Sequence, residues 1–149
     1  MSITRFLFRL EQVLQRRSDR AAAAEQALAL AHNKYKQLLI VLNDTRQRLE
    51  KTFQQGDQKK LDLFMGRQFS FYRISLNKKI IKQKKDLCEA AHLVEKRRNE
   101  AVEARQERQV LEKLKEHSLN NFKREMALRE QKEIDEMSQA AYQRRRRGL

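Results

Sequence analysis

AAAAEQALALAHNKYKQLLIVLNDTRQRL, residues 21–49, decides the fold of this chain. Steps of alternately three and four residues through it land on Ala21, Ala24, Leu28, Ala31, Tyr35, Leu38, Leu42, Thr45 and Leu49, all apolar but one. The same stepping runs back through Arg17 to Leu14, Leu10, Leu7 and Ile3, and forward to Thr52. A seam repeating every 3.5 residues over this length stays wet unless a second helix covers it, so the spacing predicts one half of a coiled coil.

Lys51 near the end of the pattern suits the negative end of a helix dipole, and Gly56 beyond it is a candidate left-handed cap. The first helix is therefore expected over about residues 3–53. A turn is expected over 54–68, which holds Gly56 and Gly66, with a short helical piece at Asp57 to Met65. A second seam follows on a helix expected over about 69–143: Phe69, Leu76, Ile80, Leu87, Ala90, Val94, Ala101, Ala104 and Leu111, with Arg73, Gln83, Arg97 and Arg108 on the same line. Folding this seam back on the first opposes residues whose numbers sum to about 122, so that Leu42 faces Ile80, Tyr35 faces Leu87, Leu28 faces Val94 and Ala21 faces Ala101. Four apolar layers match under one offset. The expected fold is all-α, a long two-helix antiparallel coiled-coil hairpin whose second helix protrudes beyond Leu119 for roughly 25 residues, or about 40 Å. That overhang carries Phe122, Met126, Leu128, Ile134 and Met137; it is either an amphipathic docking element or a solvated arm held helical by pairs such as Glu125 with Arg129.

Composition agrees with a single coiled-coil domain spanning 1–149. With 3 Gly, no Pro, no Trp and 36% charged residues, the chain is rich in helix formers and too poor in bulky apolar groups for a compact core. The net charge of +14 calls for an acidic partner, whether protein, lipid or nucleic acid. The excess reads as spread along the chain, with Arg144, Arg145, Arg146 and Arg147 forming one run. Cys88 stands alone, which excludes an internal disulfide, and the N-terminus lacks the apolar core of a secretory signal, so the expected compartment is the cytoplasm. Ser2 to Leu14 is too short and too charged to span a bilayer, and it leaves open only a helix lying on a membrane surface.

No catalytic or metal-binding pattern emerges. His32, His92 and His117 are far apart, and Cys88 with His92, four residues on, is two ligands short of a metal site. Neither Gly56 nor Gly66 opens a phosphate loop, and a helical hairpin offers no enclosed pocket in which to tune a carboxylate pair. No cofactor is expected and the protein is not read as an enzyme. Basic clusters at Lys78-Lys79, Lys82, Lys84-Lys85, Lys96-Arg97-Arg98 and Arg144 to Arg147 could neutralise phosphates, but helices interleaved with Glu and Asp favour a mixed solvated face over a nucleic-acid surface.

Phe6-Leu7-Phe8-Arg9-Leu10-Glu11-Gln12-Val13-Leu14, followed by Arg17 and the alanine-rich run to Ala31, resembles the opening of the flagellar export protein FliJ family. Leu111-Glu112-Lys113-Leu114-Lys115-Glu116 and Glu130-Gln131-Lys132-Glu133-Ile134-Asp135-Glu136-Met137 are similar to that family's C-terminal helix. The resemblance implies a coiled-coil stalk of the flagellar type III export apparatus. Its implied partners are the export ATPase hexamer, whose ring it promotes and stimulates, an export-gate membrane protein, and empty export chaperones. It also implies a monomer when alone, resting at the inner face of the cell membrane at the flagellar base.

On that reading the ATPase-binding residues are Phe6, Arg9 and Leu10 from one chain end and Met126, Ile134, Met137 and Arg144 to Arg147 from the other. The spacing Tyr72-x-x-x-Leu76 is similar to the family's gate-binding pattern and implies Tyr72, Leu76 and Gln83, although Lys79 stands where the family has a small residue. For the apolar members the alternative is plain seam packing. Two other functions compete: a basic coiled coil that binds nucleic acid, tested by salt titration, and a homodimeric structural coiled coil, tested by stoichiometry.

Overall fold

In a computed structural model the described residues, 5–58 and 62–148, form two helices, α1 (Glu11–Gln58) and α2 (Leu63–Arg147). No strand occurs among them. Ile3, where the expected first helix begins, lies outside the described residues, as do 59–61 within the expected turn. The absence of Pro and the supply of Ala, Leu, Gln, Glu, Lys and Arg leave nothing inside either helix to stop it.

Both helices depart from their expected ends. α1 starts at Glu11, not near residue 3: the Phe8 carbonyl accepts the Glu11 N–H at 3.2 Å and the Leu10 carbonyl accepts that of Leu14 at 2.8 Å, so Arg9 and Leu10 form the entering turn. Residues 5–8 ahead of that turn are not helical, and Leu7, an expected seam position, is 81% exposed. At the other end α1 continues through Gly56 to Gln58, and no described glycine has a positive φ, so Gly56 is not a left-handed cap. A helical Gly costs only about 1 kcal/mol against Ala, which the flanking helix formers outweigh. α2 starts at Leu63, six residues before expectation, because Asp62 caps it. The Asp62 carboxylate accepts the Leu63 N–H at 2.9 Å, and its carbonyl accepts the Gly66 N–H at 3.0 Å. α2 then runs to Arg147, where the Arg144 carbonyl accepts the Gly148 N–H at 3.0 Å.

The chain divides into two units, Arg20–Ala104 and Met1–Asp19 with Arg105–Leu149. In the first, α1 and α2 pack antiparallel across a seam of Ala21, Ala31, Leu42, Thr45 and Thr52 on one side and Leu76, Ile80, Ala90, Val94, Ala101 and Ala104 on the other, all buried. Alanine at so many of these positions lets the backbones approach closely, and the longer Leu42, Leu76, Ile80 and Val94 supply most of the apolar burial. Buried Thr45 and Thr52 stay satisfied because their hydroxyls donate to the carbonyls of Val41 at 3.0 Å and Leu49 at 2.6 Å. Arg73 donates to the Thr52 carbonyl at 2.9 Å, a pair whose numbers sum to 125 rather than about 122. The difference is one step along the seam: moving by three residues again sets seam against seam, so apolar matching alone does not separate the two registers.

The second unit is thinner. Here α1 and α2 also run antiparallel, with Arg17 paired to Glu107 and Lys115 Nζ 2.8 Å from Glu11 Oε2, numbers that sum to 124 and 126. No described residue of this unit is fully buried. Leu14, Leu111, Leu119, Phe122 and Met126 are half-buried.

Candidate functional site

The first candidate surface lies in the unit that holds both chain ends. The Phe6 ring packs on that of Phe122, with centroids 5.6 Å apart and planes tilted by 51°, an ordinary stabilising aromatic geometry. Phe6 thus serves packing, while Arg9 and Leu10 are exposed. Together with Leu7, Phe8, Leu114 and Ser118, Arg9 and Leu10 line a shallow groove. Phe8 lies off the periodic line, and Leu7, which lies on it, lines the groove instead of a seam because the helix has not yet started there.

Beyond Met126 every described residue is exposed, from Ala127 to Gly148, yet the segment stays helical to Arg147. Met126, Ile134 and Met137 fall within one side of the helix at 100° per residue, and Ile134 and Met137 are 53% and 65% exposed. Leu128 (63%) and Tyr142 (68%) project elsewhere, so the arm presents apolar groups on more than one side. Arg144 to Arg147 occupy its last turn and, being consecutive, surround the helix end. Part of their role is local, since cations there complement the helix dipole.

The second candidate surface lies in the other unit, and its three expected residues do not share one exposed face. Tyr72 is 46% exposed, over a shallow depression shared with Gln68 and Phe69. Leu76, only 3% exposed, is a seam residue. Gln83 is half-buried, with its Oε1 shielded from solvent and without a hydrogen-bond partner. Spacing of four puts Tyr72 and Leu76 on adjacent turns, but Leu76 lies in the seam while Tyr72 lies at its edge and stays exposed. The same stretch of α2 carries apolar residues off the seam line, Leu63, Phe64, Met65, Phe71 and Ile74, all more than half exposed.

Among the described residues no three His, Cys, Asp or Glu side chains converge, and Cys88 is exposed and unpaired. No described helix is long and apolar enough to cross a membrane.

A family model described as Flagellar FliJ protein matches residues 6–147, nearly the whole chain. A solved chain from Chlamydia trachomatis, described as a YscO homolog, is 22% identical, with 97% of this chain and 100% of that one covered and a TM-score of 0.56. At that identity the likeness is one of fold, and it agrees with the two-helix architecture. No curated protein sequence matches the chain.

Proposed function

The chain belongs to the FliJ family of flagellar proteins, and from that premise we propose that it acts as a non-catalytic stalk and adaptor of flagellar type III protein export. Its C-terminal arm binds and stimulates the export ATPase ring. The region around Tyr72 meets the membrane-embedded export gate, and export chaperones associate with the same protein.

The observation that carries this reading is the arm from Ala127 to Arg147: a continued helix, exposed throughout, with apolar Ile134 and Met137 and a terminal set of four arginines. Solvated helices without a covered face are marginal on their own, and this one retains large apolar side chains that a purely solvated spacer does not need. A ring channel lined by carboxylates and apolar groups complements both features. Phe6 contributes indirectly, by anchoring Phe122 on the turn of α2 before Met126. At the other surface Tyr72 is the exposed contact, and Leu76 supports it from the seam.

The test measures hydrolysis by the cognate export ATPase at limiting ATPase concentration, with the full chain and with the variant Ile134→Ser/Met137→Ser. Stimulation by the parent chain that is lost in the variant supports the reading. Absence of both stimulation and co-purification with the ATPase would sink it.

A further inference from the structure

Half of the chain's net charge lies in one short piece of α2. Residues 63–85 contain Arg67, Arg73, Lys78, Lys79, Lys82, Lys84 and Lys85 and no Asp or Glu, whereas 86–149 carry 15 basic against 13 acidic residues. The excess is therefore concentrated in this piece and not spread along the chain as expected.

Within this piece a second line of side chains runs at the same three-and-four spacing as the seam: Phe64, Arg67, Phe71, Ile74, Lys78, Ile81 and Lys85. It lies on the side of α2 opposite Leu76 and Ile80. Its apolar members are out in solvent, Phe64 at 69%, Phe71 at 71%, Ile74 at 52% and Ile81 at 69% exposed. Arg67, Lys78 and Lys85 are exposed as well. A seam search misses this line because nearly half its positions are cations.

We propose that this outer face of α2, from Phe64 to Lys85, docks on an anionic lipid bilayer. Aromatic and aliphatic groups alternating with Arg and Lys along one helix face is the arrangement an interfacial helix requires: the apolar side chains enter the acyl boundary, while the long basic ones reach back to the headgroups. Removal of every carboxylate from the segment matches a surface of negative potential. A second copy of the chain is disfavoured as occupant because both faces carry the same charge. A nucleic acid satisfies the cations but leaves Ile74 and Ile81 wet. Tyr72 lies on another flank of α2, so this face is independent of the export reading, which stands whether or not lipid binds.

The experiment floats the full chain with vesicles of phosphatidylcholine alone and of phosphatidylcholine mixed with phosphatidylglycerol. Flotation only with the anionic vesicles, weakened by salt, is expected. Two stripe variants, Phe71→Ser/Ile74→Ser/Ile81→Ser and Lys78→Gln/Lys85→Gln, should each partition roughly tenfold less at an unchanged thermal midpoint. Arg144→Gln/Arg145→Gln/Arg146→Gln/Arg147→Gln should float like the parent. The proposal is overturned if the parent does not float, floats equally with neutral vesicles, or loses flotation only in the tail variant. Retention on RNA or on an acidic polypeptide without any vesicle binding overturns it too.

Discussion

Arg73 holds its guanidinium carbon 4.1 Å from the centroid of the Phe53 ring, reaching across from α2 to α1 near the start of the hairpin. The same side chain donates from Nη2 to the Thr52 carbonyl at 2.9 Å and from Nε to the Thr52 hydroxyl at 3.3 Å. Arginine at a seam position is thus a clasp: its stem fills the seam, and its planar head satisfies a carbonyl while lying over an aromatic face.

Arg73→Lys keeps the charge and loses the fork, so it tests the clasp directly. A lost charge-assisted hydrogen bond together with a weakened ring contact predicts about 1–2 kcal/mol of destabilisation. The check is the urea midpoint followed by circular dichroism. Phe53→Leu should cost less, because Thr52 still receives the guanidinium, and equal stability of Arg73→Lys and the parent would reject the clasp.

Leu42 is 1% exposed in the seam, and Leu30, twelve residues earlier on the same helix, is 64% exposed. Leu42→Ala opens a cavity between two close helices and should cost about 2–5 kcal/mol. Leu30→Ala should stay within about 0.5 kcal/mol of the parent. Thermal melts of the two variants separate these outcomes, and a similar loss in both would mean that α1 buries a different face.

These two positions show what was legible beforehand. Leu42 lies on the 3.5-residue line and Leu30 does not, and periodicity sorts them because burial repeats with the helix. The register was less legible: Thr52 against Arg73 offers no apolar match, and a shift of three residues keeps seam facing seam. Helix ends were least so. Gly56 and Gly66 suggested a long turn, yet single glycines cost a helix little, and the informative residue was Asp62 ahead of Leu63-Phe64-Met65. Of the candidate surfaces, an overhang beyond Leu119 follows from counting residues past the hairpin's partner helix, but the bare arm begins only after Met126, because Phe122 packs on Phe6 and Met126 is half-buried. Leu76 falls both on the seam line of the sequence and on the Tyr72 spacing, and only the packing decides between the two in favour of the seam.

Arg17 with Glu107, and Glu11 with Lys115, join α1 to α2 where apolar burial is thin. All four side chains are substantially solvated, so each pair is worth little despite its closeness, about 0.5 kcal/mol in a double-mutant cycle. Glu107→Gln with Arg17→Gln should return a coupling of that size at low salt and almost none at about 1 M NaCl, where the screening length is about 3 Å. A coupling several times larger would identify these pairs as the main tie of this unit.

Ending the chain after Met126 tests whether the arm is a docking element or a structural one. From Ala127 onward no described residue is shielded, so removal exposes little new apolar surface, and the remaining chain should melt within about 0.5 kcal/mol of the parent. Phe6 keeps its contact with Phe122, which precedes the cut. Under the export reading the shortened chain should lose stimulation of the ATPase while retaining whatever interaction the Tyr72 surface makes. If stability fell with stimulation, the arm would be holding the fold, and full stimulation by the shortened chain would move the ATPase contact to Arg9, Leu10 and their groove.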